Sequence, residues 1–125
     1  MSTESKTAQL ITKLIRETAK GNVKWEVEDA PRALNAETEQ SVPLYLQTEY
    51  KGKTLGVFDL RTKYFTDVDE YYWSEGVGFC IVDDRRRVVW ESRESSPALL
   101  DLFNTAREQA SGIDEILDDL LGDET

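Results

Sequence analysis

The C-terminal quarter of the chain limits its folding most. Between Ser96 and Leu121, Leu99, Phe103, Ala106, Ala110, Ile113, Leu117 and Leu120 recur at alternating spacings of four and three. At roughly 100° per residue these side chains fall on one side of an α-helix, with Asp101, Thr105, Glu108, Gly112, Glu115 and Asp119 on the other. Ser96 is a good N-cap, and Pro97 at the first helical position sacrifices no hydrogen bond. The apolar spacing passes Gly112 without losing phase, which predicts one continuous helix from Pro97 to Leu121. The competing arrangement is a break at Ser111-Gly112, with Ser111 as a new cap and Asp114 as a capping-box acid. A continuous helix would carry Ile113 to Leu121 past the rest of the fold, whereas a bend would return those leucines to the core.

Such a helix needs a surface to cover, and the preceding sequence supplies one. Ser5 or Thr7 can cap a first amphipathic helix running to about Lys20, with Ala8, Ile11, Leu14, Ile15 and Thr18 inward and Gly21-Asn22 as its stop. Val23 to Glu28 alternates apolar and charged residues as a half-buried strand does, and Asp29 to Val42 reads as a loop. Pro43 to Tyr50 and Thr54 to Leu60 form a hairpin about Tyr50-Lys51-Gly52-Lys53, which pairs Thr48 with Leu55, Leu46 with Val57 and Tyr45 with Phe58. Gly76 to Asp83 and Arg87 to Ser92 form a second hairpin, with Phe79, Ile81, Val88 and Trp90 facing one way. Arg61 to Glu75, aromatic and acidic together, has no clean period. The expectation is a single α+β domain over residues 1–125: an N-terminal helix, an antiparallel meander of four to five strands, and a long C-terminal helix in a two-layer sandwich.

Charge and composition narrow the function. The formal net charge is −10, distributed unevenly: Met1 to Asn22 carries four bases against two acids, and Glu94 to Thr125 carries nine acids against one base. That asymmetry argues against direct contact with nucleic acid or an anionic membrane through the C-terminal part, and for a basic protein partner. The single Cys80 excludes an internal disulfide, and no apolar run approaches the roughly 18 residues of a spanning helix. A cytoplasmic protein outside the membrane is the expectation.

Histidine is absent, which removes His-based triads and His metal sites. Asp67, Asp69 and Glu70 form the tightest acidic cluster, the place for a divalent cation or a carboxylate-dependent reaction. Their spacing nevertheless departs from a calcium loop, with Tyr71 at the fifth position and no glycine at the sixth. Cys80, between Phe79 and Ile81, reads as a core thiol, and Gly76-Val77-Gly78 lacks the remainder of a phosphate loop. Arg85-Arg86-Arg87 reads as a phosphate or acidic-peptide grip, or as a solubilising turn.

The opening Leu10-Ile11, Thr18, Gly21 and Trp25, the meander, and the ending Asp118-Asp119-Leu120-Leu121 resemble small bacterial and phage-related α+β proteins of helix–meander–helix layout. That resemblance implies a layout and no activity. The residues themselves point to a non-enzymatic, acidic interaction module of adaptor, immunity or antagonist type, requiring no cofactor. It would dock on a basic partner through Glu108, Glu115 and Asp119 together with Tyr71, Tyr72 and Trp73. The alternatives are a carboxylate enzyme or metal binder at Asp67, Asp69 and Glu70, and a homo-oligomer paired through its C-terminal heptads.

Overall fold

The computed structural model describes residues 2–35 and 39–122. Positions 36–38 of the expected loop, and the terminal residues 123–125, lie outside the described residues. The first helix, α1 (Thr3–Ala19), is capped by Ser2, whose hydroxyl oxygen accepts from the Ser5 N–H at 3.2 Å. The cap therefore falls earlier than either expected position. Five antiparallel strands follow in the spatial order of the chain: β1 (Glu26–Val27), β2 (Gln40–Tyr50), β3 (Lys53–Phe65), β4 (Tyr71–Val82) and β5 (Val88–Ser92). A 3₁₀ turn at Arg32–Asn35 lies between β1 and β2. The chain ends in two helices, α2 (Pro97–Ser111) and α3 (Ile113–Gly122).

The β2–β3 register is the expected one: Thr48 opposes Leu55, Leu46 opposes Val57 and Tyr45 opposes Phe58. Lys51 and Gly52, at φ of 50° and 79°, form the tight turn that twists with its strands. The first strand is shorter than its alternation suggests. Trp25 gives its N–H to the Gln109 side chain at 2.7 Å, so the chain joins the sheet only at Glu26.

Two apolar clusters occupy the two faces of the sheet. On one, Ile11 and Leu14 of α1 and Leu99, Leu102, Phe103 and Ala106 of α2 pack on Leu46, Leu55, Val57, Val77 and Phe79. On the other, Leu34 of the 3₁₀ turn covers Tyr45, Phe58, Leu60, Cys80 and Val82. Val88 joins this second cluster and not the face of Phe79, Ile81 and Trp90. The register shift between Ile81 and Val82 puts an extra β5 residue opposite the ladder and reverses the alternation. On the second face, the Phe58 ring lies over Gly78, where a Cβ would come within 2.2 Å of it. Glycine thus makes room for the aromatic ring at the centre of the sheet.

The C-terminal region differs from the continuous helix read from the sequence. Gly112 adopts a left-handed conformation at φ 63°, ends α2 by giving its N–H to the Gln109 carbonyl, and begins α3 by accepting the Ile116 N–H. A left-handed residue costs a β-carbon-bearing residue about 1–2 kcal/mol and glycine almost nothing, so Gly112 can end the helix where packing ends.

Candidate interaction surfaces

Alpha-helix α3 folds as Ile113-Asp114-Glu115-Ile116-Leu117-Asp118-Asp119-Leu120-Leu121-Gly122 and buries none of its residues. Its Ile113, Ile116, Leu117, Leu120 and Leu121 are between 37% and 69% exposed. The bend therefore does not return these leucines to the core, contrary to the expectation attached to it. Amphipathic helices ordinarily hide such a stripe. Asp114, Glu115, Asp118 and Asp119 occupy the rest of α3, which has no base. Glu108 lies on α2 and shares with Glu115 a concavity at the α2–α3 junction, beside Thr18 and Ala19 of α1.

The aromatic residues form a different surface. Both strands of the β3–β4 hairpin extend through the segment whose period could not be read, and its rings pair across the ladder: Tyr64 with Tyr72 at 5.7 Å and Phe65 with Tyr71 at 5.8 Å between centroids. Trp73 meets the Tyr71 edge at 6.3 Å. The Lys63 ammonium sits 3.8 Å from the Tyr71 centroid, and the Arg61 guanidinium 5.1 Å from that of Trp73. These five rings are 40–55% exposed. Mutual stacking and cation–π contact hold a β-structure whose aromatic side chains face water. Tyr71, Tyr72 and Trp73 thus lie on the hairpin, whereas Glu115 and Asp119 lie on α3. The two sets lie on different elements of the fold.

At the hairpin tip, the Asp67 carboxylate accepts the Val68 N–H at 2.7 Å, and Thr66 and Asp67 donate their N–H groups to the Glu70 carbonyl. Asp67, Asp69 and Glu70 are all exposed, and among the described residues no group of three His, Cys, Asp or Glu side chains is placed to hold a metal ion. The arginine cluster is partly committed to the chain itself. Arg87 Nε pairs with Asp83 Oδ2 at 2.8 Å, and Arg86 bonds the Asp29 carbonyl and Gln47 Oε1. It therefore ties the β4–β5 turn to the segment after β1. Cys80 is fully buried, and burial pushes its thiol up to about 12 while also raising neighbouring Tyr45.

Three features had no sequence signal of their own. Gln109 anchors α2 to the segment after α1: its Oε1 accepts from Trp25 N–H, and its Nε2 donates to the Val23 carbonyl at 2.6 Å. A concavity of about 520 Å³ beside α2 is lined by Asp59, Glu75, Phe103 and Arg107, and Asp59 titrates above the usual carboxylate range because of burial and the nearby Glu75 charge. A groove of about 590 Å³ joins α1 to the β2–β3 turn, with three lysines in its lining. Each combines residues far apart in sequence, so neither local period nor motif exposes them.

The elements define an α+β protein with a five-stranded antiparallel sheet, an N-terminal helix and two C-terminal helices. No protein-family profile matches the sequence, and comparisons with curated proteins and with solved structures also return no match. Among the described residues, no helix is long and apolar enough to cross a membrane.

Proposed function

We propose that this chain is a non-enzymatic interaction module that docks α3 into an apolar, basic-rimmed surface of a protein partner. The exposed leucine and isoleucine stripe beside four carboxylates carries this reading. Covering five half-exposed aliphatic side chains contributes about 1 kcal/mol each, or roughly 5 kcal/mol together. Association costs about 4–15 kcal/mol in lost freedom, so the apolar stripe alone yields a weak complex. Charge complementarity at Glu108, Glu115 and Asp119 raises the encounter rate and orients the helix, and the Tyr71, Tyr72 and Trp73 surface offers a second contact. The lone buried Cys80 suits a reducing compartment such as the cytoplasm.

The test is capture with the full chain as bait under native conditions, followed by purification of the retained protein and measurement of its affinity. The affinity should fall when Leu117 and Leu120 become Asp, fall when Glu108, Glu115 and Asp119 become Lys, and weaken as salt shortens the screening length from about 10 Å at 0.1 M to about 3 Å at 1 M. An affinity indifferent to both sets of substitutions refutes docking through α3.

A further inference from the structure

We infer that the partner surface for α3 is present on the chain itself, and that α3 of one copy docks into the lysine-rimmed groove of a second copy. This names the partner in the reading above and rests on it. The groove, about 590 Å³, lies between α1 and the β2–β3 turn. Leu55 and Ile81 contribute apolar floor, Tyr50 and Val89 apolar walls, and Lys13, Lys51 and Lys53 a basic rim. Its volume is that of a pocket holding several apolar groups.

The local structure explains both the apolar lining and the charge. The tight Lys51-Gly52 turn places two lysines of one hairpin at the end of β2 and β3, while Lys13 projects from the exposed side of α1. The register shift in β5 leaves Val89 largely uncovered. Asp83 is the one acid in the lining, and its carboxylate is already occupied by Arg87 Nε and the N–H groups of Arg85 and Arg87. The groove thus presents an apolar floor and three ammonium groups. Helix α3 presents five aliphatic side chains and four carboxylates with no base. The two surfaces are complementary in both charge and polarity.

The helix occupying a groove comes from another copy. In its own chain α3 begins beside Thr18 and Ala19 at the C-terminal end of α1, whereas Leu10 and Lys13 line the groove about 9–14 Å back along that helix. Gly112 alone connects it to α2, and both its N–H and its carbonyl are hydrogen-bonded across the junction. Reversal between packed helices takes about two to five residues, so this connection has no slack to carry α3 back along its own chain. Each copy has one helix and one groove, and a two-fold axis lets both contacts form at once and closes the assembly as a dimer.

Sedimentation equilibrium of the full chain near 0.15 M salt, where a screening length of about 8 Å damps the repulsion of two acidic chains, tests this. A monomer–dimer equilibrium is expected between about 10 μM and 1 mM, the range for modest interfaces. Reversal of the groove (K13E/K51E/K53E) and reversal of the helix (D114K/E115K/D118K/D119K) should each weaken homodimerisation by about tenfold or more. Mixing the two variants should restore association, because both contacts are then complementary again and both folds must be intact. Monomers throughout, a dimer indifferent to the lysines, or no recovery on mixing overturns the inference. The α3-dependent affinity for a different captured protein separates this failure from failure of the docking reading: if that affinity persists, α3 docks on another partner, and if it too is absent, both readings fall.

Discussion

Substituting Gly112 by Ala tests what bends the C-terminal region. No atom lies within 4 Å of the position a Cβ would take at Gly112, so the substitution meets no steric barrier and its cost is conformational. At φ 63° alanine pays about 1 kcal/mol or slightly more for the left-handed region. In a continuous helix, alanine is about 1 kcal/mol better than glycine. The difference between bent and straight forms therefore moves by about 2 kcal/mol, or roughly thirtyfold. Opposing this are only the contacts of α3, which buries none of its residues. G112A should straighten the region into one helix. Spin labels at D101C and D118C report this directly, because a straight helix separates those positions by about 26 Å along its axis and the bend shortens the distance. Cys80 is fully buried and does not label. An unchanged short distance, accompanied by a loss of about 1 kcal/mol in stability, would show that tertiary contacts and not glycine's freedom hold the bend.

Gln109→Ala should destabilise the fold by about 1–3 kcal/mol in denaturant titrations, because the Trp25 N–H and Val23 carbonyl lose their partner. Gly78→Ala should cost more than a typical overpacking substitution of about 1–3 kcal/mol, since its Cβ would lie 2.2 Å from a fully buried Phe58 ring. A melting temperature unchanged by this substitution would contradict the packing. Cys80 should resist thiol reagents at pH 8 in the folded chain and react on unfolding. Its folded pKa of about 12 stands above the ordinary 9.0, so its stabilising effect is complete below pH 9 and is lost as pH rises toward 12. Cys80→Ala should flatten part of that alkaline decline, the remainder following Tyr45, whose pKa burial also raises.

Much of this architecture was legible in the sequence because it is set by short-range rules. A two-residue turn at Lys51-Gly52 and a period of two are sufficient for the pairing of Tyr45 with Phe58 and Leu46 with Val57. The stripe of Leu99, Phe103 and Ala106 identifies the buried face of α2 without knowing what covers it. Where one extra residue enters a strand, as between Ile81 and Val82, alternation misassigns the next side chain, and Val88 appears on the opposite face. The aromatic segment had no legible period because residues on both faces of the β3–β4 hairpin are rings.

The sequence by itself determined the α+β class, the β2–β3 register, the helical nature of the residues on either side of Gly112 and the acidic character of the C-terminal surface. Tertiary structure alone decided that the helix ends at Ser111, that Gln109 reaches back to Trp25, and that Lys13 meets Lys51 and Lys53 around an apolar groove. Periodicity records which side chains share a helix face, but it does not record where the covering surface stops. Helix α2 has its last fully buried residue at Ala106, and among the described residues nothing buries Ile113 to Leu121. Gly112 ends the helix there at little conformational cost, and the same repeating stripe that forms core in α2 becomes an exposed surface in α3.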